Sequence, residues 1–271
     1  MSSIVLSAGV RSNLLQLQQT SDLITSTQTK LATGKRVNSA LDNPNNYFTA
    51  QGLDNRANDL TNLLDSMSTA INTIQAANNG ISAITKLVQS AQSLASQAQQ
   101  TSDTTVRASL ATQFDSIRTQ IDKLAGDSGF NGINLLNGDN LTVTMNETAT
   151  STVTVTGVTD TSNGGLSING STNNWAAASD ITAASTTLTA ALTTLRSQAQ
   201  TLSSSLSTVQ IRQDFTKATI NTLQAGSDAL TLADSNQEGA NLLALQTRQQ
   251  LSTTALSLAS QADQNVLRLF Q

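Results

Sequence analysis

Apolar residues recur along most of the chain at alternating steps of four and three. Val10, Leu14, Leu17, Ile24 and Leu31 form a first run, with Ser21 and Gln28 at two of its positions. This spacing belongs to a helix with one stripe facing a partner helix. The run stops at Gly34, a residue suited to the left-handed position after a helix. Lys30 sits in the last turn, where a cation meets the negative end of the dipole. The pattern restarts after Pro44. Leu53, Ala57, Leu60, Leu64, Met67, Ile71, Ile74, Ile81 and Val88 continue it, and only Asn78 and Thr85 are polar among its positions. A helix from Pro44 to about residue 100 spans on the order of 80 Å at 1.5 Å per residue. Gly80 reads as its weak point, since glycine inside a helix costs about 1 kcal/mol relative to alanine, and a local kink is expected there.

A third helix follows from Val106, Leu110, Phe114, Ile117, Ile121 and Leu124, ending at the glycine-rich "GDSGFNG". The texture then changes to Thr, Ser, Asn and Gly. Alternation at Leu141, Val143 and Met145, at Val153 and Val155, and at Leu166 and Ile168 predicts two or three short strands. Helix resumes near Ile181. Leu188, Leu192, Leu195, Ala199, Leu202, Leu206, Val209, Gln213, Thr216, Ile220, Leu223, Ser227 and Leu230 hold one seam. "DSNQEG" softens it, and a last helix carries Leu251, Ala255, Leu258, Ala262, Val266 and Leu269.

The predicted fold is mainly α: a long antiparallel helical coiled-coil rod with paired terminal helices and a small β-rich insertion. The chain folds back at the insertion, so the long helices pair and the terminal helices pair beyond them. Apolar residues on the terminal helices spill past one seam, at Leu15, Leu23, Leu256, Leu267 and Phe270. Two thin helices cannot cover these residues from water, so neighbouring chains are expected to do so.

Composition narrows the chemistry. Charged residues make up 12% of the 271, about half the usual share for a soluble domain, and aromatics 3%. A low-charge surface is poor at keeping molecules apart. The net charge is −4 with no dense basic run, which argues against nucleic acid as a partner. Cysteine and histidine are absent. No disulfide framework is possible, and the commonest general base and metal ligand is missing. No catalytic residues, metal ligands or cofactors are expected, and no enzyme activity. No stretch approaches the 18 or more apolar residues of a membrane span, so no membrane partner is expected. The start, "MSSIVLSAGVRSNLL", lacks the cationic segment and apolar core of a cleaved secretory signal.

The break between the first two helices, "KLATGKRVNSALDNPNN", holds the only proline of the chain, Pro44. Asn43 can cap the second helix with its side-chain oxygen, and proline at the first helical position loses nothing. Lys35, Arg36, Asp42 and several asparagines supply polar groups to fix the connector.

This stretch resembles the bacterial flagellin signature at Leu31, Thr33, Gly34, Arg36, Val37, Asn38, Ser39, Ala40, Asp42 and Asn43. "FNGINLLNG" resembles the element that closes the N-terminal half of flagellins. "LLALQTRQQLSTTALSLASQADQNVLRLF" resembles their C-terminus. Asn43 and Pro44 depart from the more familiar acidic-and-alanine run, and the middle is short for the family.

The resemblance implies a structural subunit that self-assembles into the bacterial flagellar filament for motility. A flagellin-like hook–filament junction protein is the alternative. It implies residues 1–35 with 235–271 as the inner-tube domain and 36–46 as a spoke connector. Residues 47–139 with 178–234 become the outer-tube domain, and 140–177 a short variable surface insertion. Polymerisation contacts are expected at Leu14, Leu17, Ile24, Leu31, Leu251, Leu258, Val266, Leu269 and Phe270. Gly34, Arg36, Asn38, Asp42, Asn43 and Pro44 would build the spoke. The implied partners are further copies of the chain in a helical homopolymer, hook-associated and cap proteins, the flagellar export apparatus and a flagellin export chaperone. The implied location is extracellular, in the filament, reached without a cleaved signal peptide.

Overall fold

A computed structural model describes residues 8–269. The elements follow the order α1 (Ala8–Thr33), α2 (Pro44–Gln100), α3 (Thr104–Asp127), β1 (Leu141–Thr144), β2 (Thr152–Val155), α4 (Ala178–Thr231) and α5 (Ser235–Leu269). The fold is mainly α with one small antiparallel sheet, as the periodicity predicts. Contacts gather the chain into two compact units. One holds the residues up to Asn55 together with those from Thr222 onward, and the other is Arg56–Asn221. Residues 36–46 therefore group with the terminal helices, and α2 and α4 supply residues to both units.

In the unit Arg56–Asn221, α2 and α4 run antiparallel. The Gln213 amide donates to Ser68 Oγ at 2.8 Å. At the other end, Arg107 donates to the carbonyls of Ala98 (3.2 Å), Thr101 (2.8 Å) and Ala176 (3.1 Å). The predicted seams are the ones buried. On α4, Leu188, Leu192, Leu195, Leu202, Val209, Thr216 and Ile220 are covered, and on α2 Leu60, Met67, Ile74, Ile81 and Val88. The covered face of α2 widens where Ala77, Ile84, Ala91, Ala95 and Ala98 join it. Small residues there let α3 approach, bringing Leu110, Ala111, Phe114, Ile121 and Ala125 into the same core. Val106 does not join them and is 44% exposed, because it sits in the capped first turn, where Asp103 accepts from the Thr105 and Val106 N–H groups.

No kink occurs at Gly80, and α2 is continuous through it. Its reason is packing. A Cβ at Gly80 would lie 2.3 Å from Ser128 Oγ and 2.7 Å from Leu136 Cδ1, so the loop after α3 needs the bare backbone. Helix propensity alone makes Gly80→Ala favourable by about 1 kcal/mol. Overpacking opposes it by about 1–3 kcal/mol. The expected result in urea denaturation is a net loss of stability, and a gain would show that the loop yields freely.

The segment after α3 is held tightly. Asn134 donates from Nδ2 to the carbonyls of Ala125 and Gly126, both at 2.8 Å, satisfying the end of α3. Leu135 and Leu136 behind it are buried. In the hairpin Leu141 pairs with Val155 and Val143 with Val153, which puts Leu141, Val143 and Val155 on the covered face. Leu166 and Ile168, expected in a third strand, lie in irregular chain instead, yet are 2% and 0% exposed. A polar stripe on α3 holds them in place. Asp115 accepts from the Ser171 N–H and hydroxyl, and Asp122 accepts from those of Ser162. Arg118 donates to the Ile168 carbonyl (2.9 Å) and to Asn163 Oδ1 (2.9 Å). These three residues occur at i, i+3 and i+7, one face of a helix. One face of the insertion is thus packed into the core, while residues such as Glu147, Thr148 and Ala149 stay exposed.

Just before α4, Asn173, Asn174 and Trp175 adopt φ of 48°, 50° and 60°, three successive left-handed residues. They turn the Trp175 ring into the core, where it is fully buried with its centroid 5.0 Å from that of Phe114.

Threonine is used in an unexpected way. Thr25, Thr29 and Thr33 on α1, Thr112 and Thr119 on α3, and Thr182, Thr186, Thr189 and Thr193 on α4 donate their hydroxyls to the carbonyl four residues back. The hydroxyl proton is thus spent within its own helix.

Candidate functional site

The unit that holds both chain ends is built on α1 packed along α5, with Lys30 Nζ 3.5 Å from Glu238 Oε1. The connector fastens to the joint between α4 and α5. Gly34 takes φ 68°, as a residue closing α1 should, and its carbonyl accepts from Ala233 N at 3.0 Å. Arg36 N donates to the Thr231 carbonyl at 2.7 Å, and its guanidinium to the Leu230 carbonyl at 3.3 Å. The next residue, Val37, is buried. Asp42 then organises the turn by accepting from the N–H groups of Asn38 (2.9 Å) and Ser39 (3.0 Å). Those two bonds, the Asn38 one foremost, hold its carboxyl below the usual range. Asn38 Nδ2 returns a bond to the Lys35 carbonyl at 3.0 Å. Asn43 Oδ1 accepts from Asn46 N at 3.0 Å and caps α2, with Pro44 as its first residue.

A second break matches this one. Asp234 accepts from Asn236 N (2.9 Å) and Gln237 N (3.2 Å), so "DSNQ" ends one helix and starts another rather than merely softening it. The two breaks meet at the paired residues Lys35 and Leu232. This pairing lies outside the reach of periodicity, although two cap motifs at opposite ends of the chain are its signal.

The terminal seam is offset from the expected one. On α1, Val10, Leu17, Ile24 and Leu31 face inward, but the alternate row is Asn13, Thr20 and Thr27. Leu14 is 39% exposed, and Ser21 and Gln28 also face outward. On α5 the covered row is Leu242, Leu245, Gln249, Ser252, Leu256 and Ala259. The expected row faces water: Leu251 is 67% and Leu258 62% exposed, and Ala255 and Ala262 are exposed with them. Leu256, read as spilling over, is inside. Leu15 and Leu23 of α1 are 57% and 51% exposed. The side chains of Val266 and Leu269, and Phe270, lie outside the described residues.

Apolar groups also face outward at the connector and just after it, with Leu41 at 96% exposure and Phe48, early in α2, at 61%. Among the described residues no cluster of three carboxylates, histidines or cysteines could hold a metal, and no helix is long and apolar enough to cross a membrane.

These features define a mainly helical protein whose first and last helices pair with each other and keep a second apolar face uncovered. Residues 8–141 match the bacterial flagellin N-terminal helical region, and residues 179–270 match the bacterial flagellin C-terminal helical region. The chain belongs to the bacterial flagellin family. It is similar to Flagellin A of Rhizobium meliloti (strain 1021), 42% identical over 65 residues, which are 24% of this chain and 16% of that one. It is also similar to the flagellin of Brucella melitensis biotype 1, 37% identical over 65 residues, covering 24% and 23%. These matches span about a sixth to a quarter of the relatives' own length. Among solved structures, a Bacillus cereus flagellin aligns over 57% of this chain and 88% of its own, with 22% identity and a TM-score of 0.48.

Proposed function

We propose that the chain is a structural subunit that self-assembles into the extracellular filament of the bacterial flagellum, for motility. The observation that carries this is the uncovered second stripe of α5, Leu251 and Leu258, on a helix that has already used its other face against α1. Burying one such side chain fully is worth about 1.5–3 kcal/mol, and a repeated subunit gains it at every addition. Leu14, Leu15 and Leu23 supply apolar surface on α1 for the same purpose. Leu17, Ile24 and Leu31 support it from inside the pair. The connector residues Gly34, Arg36, Asn38, Asp42, Asn43 and Pro44 fix where the terminal pair leaves α2, and Leu41 and Phe48 lie exposed beside them.

In this reading the partners are further copies of the chain, with hook-associated and cap proteins at the ends of the polymer. The flagellar export apparatus and an export chaperone deliver the subunit, and no signal peptide is cleaved. Its role is structural, without catalysis.

The test is seeded polymerisation followed by negative-stain microscopy. The full chain is expected to give long tubes. A chain ending at residue 240 is expected to give none, while Trp175 fluorescence shows the unit Arg56–Asn221 still folded. The full-length double variant Leu251→Asp, Leu258→Asp is expected to raise the critical concentration strongly. Tubes from the truncated chain would refute the assignment.

A further inference from the structure

We propose that Asn169 is a modification site, which loses its side-chain amide to attack by the Gly170 backbone nitrogen and becomes aspartate or isoaspartate. The inference is independent of self-assembly and concerns the insertion packed on α3. The reaction needs only water. The Gly170 nitrogen bonds to the Asn169 side-chain carbonyl carbon, and its proton leaves with the amide group as ammonia. Water then opens the five-membered imide at either carbonyl. Opening at one gives aspartate. Opening at the other gives isoaspartate, whose main chain runs through the side-chain carbon.

Glycine crowds this attack least, because it carries no Cβ. Asn-Gly occurs five times in the chain, at Asn79, Asn131, Asn137, Asn163 and Asn169. The fold separates them. Asn79 and Gly80 lie inside α2, where the helix ladder fixes the backbone. Asn131 and Gly132, at φ 50° and 80°, form a left-handed two-residue turn. Phe130 and Ile133 close it, each N–H bonded to the other's carbonyl at 2.9 and 3.1 Å. Asn137 and Gly138 sit in a second turn, where the N–H groups of Asn137 and Asp139 both donate to the Asn134 carbonyl. At the fourth step Asn163 Oδ1 accepts from Arg118 at 2.9 Å, and Gly164 N donates to the Thr161 carbonyl at 3.1 Å.

The fifth step is free of these restraints. Asn169 is exposed and lies in irregular chain. Neither its side chain nor the Gly170 N–H has a hydrogen-bond partner among the described residues. The attacking amide also lies beside a cation. A Cβ on Gly170 would be 3.0 Å from Arg118 Nη1 and 3.6 Å from Asp115 Oδ1, so the guanidinium is the nearer charge. A positive charge beside an N–H eases loss of its proton.

The product bears on the fold, because the step lies between two anchors. Ile168 N donates to the Ser162 carbonyl at 2.7 Å, and its own carbonyl accepts from Arg118 at 2.9 Å. Ser171 N donates to Asp115 at 3.0 Å. Isoaspartate adds a main-chain atom between these fixed points, and either product adds a negative charge near Asp115.

The test holds the full chain folded in warm, mildly alkaline buffer. Its digested peptides are then read by tandem mass spectrometry and by labelling with an isoaspartate methyltransferase. Asn169 is expected to convert about tenfold or more ahead of the other four, whose backbone must open locally before the ring can close. The same incubation in urea is expected to erase the difference, since glycine follows all five. Asn169→Gln would have to close a six-membered ring. It is expected to stay folded by circular dichroism and to lose the early isoaspartate. The modified chain, separated by anion exchange, is expected to unfold at lower urea than the intact one. Earlier conversion at Asn131 or Asn137, equal rates at all five sites in the folded chain, or an intact Asn169 would each overturn the proposal. An unchanged unfolding midpoint would overturn the claim that the two anchors feel the added atom.

Discussion

Trp175→Ala is expected to lower the stability of the unit Arg56–Asn221 by about 3–5 kcal/mol, the usual loss for a large aromatic cut from a core. Two features argue for the upper half of that range. The ring is fully buried against Phe114, a helix residue that cannot move to fill the space. The backbone that delivers it is strained, with three adjacent non-glycine residues at positive φ. Such conformations cost of order 1–3 kcal/mol each and persist only where packing enforces them. Removing the ring leaves the strain and takes away its compensation. Arg107, bonded to the Ala176 carbonyl, would then hold a turn with nothing beneath it. Trp175→Phe serves as the control. The indole N–H has no hydrogen-bond partner, so a phenyl ring loses volume but also removes an orphaned donor. Its expected cost is small. Urea denaturation followed by far-UV circular dichroism checks both, and equal losses for Ala and Phe would show that packing is not the cause.

Asp160→Asn is expected to stabilise the protein at neutral pH by up to about 3 kcal/mol and to have little effect near pH 3.5. Asp160 is completely buried, and neither carboxylate oxygen has a partner in good geometry. Burial pushes its pKa up from 3.8 to about 6, with the nearby Gln198 side chain opposing the shift. The charged groups around the segment do not neutralise it. Arg118 is engaged by Ile168 and Asn163, and Asp122 by Ser162. A carboxyl whose folded pKa is raised binds its proton more tightly when folded. Its favourable contribution is complete below the unfolded value of 3.8 and is lost as pH rises through about 6. A gap of about two units corresponds to roughly 3 kcal/mol at 1.36 kcal/mol per unit. Asparagine has the same shape and no proton to lose, so its advantage should open between pH 4 and 6 and then level off. Denaturation at pH 3.5, 5 and 7.5 measures this. An advantage independent of pH would mean that shape, not charge, sets the difference.

The long helices were legible because one apolar seam runs along each of them almost unbroken, even where α2 buries a second row beside it. Every polar interruption of the α4 pattern, Gln213, Thr216 and Ser227, still faces inward, since the flanking leucines fix the phase. The terminal helices misled for the opposite reason. Alpha5 carries two rows, and periodicity selects the one that is apolar at every position, Leu251, Ala255, Leu258 and Ala262. The partner inside the chain takes the other row, which includes Gln249 and Ser252. No rule within one sequence says which of two stripes meets its own chain and which stays exposed. Gly80 was visible as a glycine, but the Ser128 and Leu136 atoms that need it lie about fifty residues away in sequence. Asp160 was invisible. A lone aspartate between threonines reads as solvated, and only the fold of the insertion onto α3 and α4 reveals its burial. The connector was the most readable part of the candidate site, because caps are local chemistry: Asn43, Asp42 and Gly34 act on backbone within four residues or close their own helix.

The threonine hydroxyls bonded back along α1, α3 and α4 change what covering those helices costs. A serine or threonine that spends its donor on water must be given a substitute when a neighbour displaces that water, or the neighbour is penalised. Here the donor is already spent on the helix's own carbonyl, so dehydration strands no hydroxyl proton. The incoming surface needs to supply no matched acceptors, only donors for those hydroxyl oxygens that give up water. Such a face is wetted weakly in the free subunit and dries cheaply. A chain written largely in polar letters can therefore present a surface that costs less to bury than its count of hydroxyls suggests.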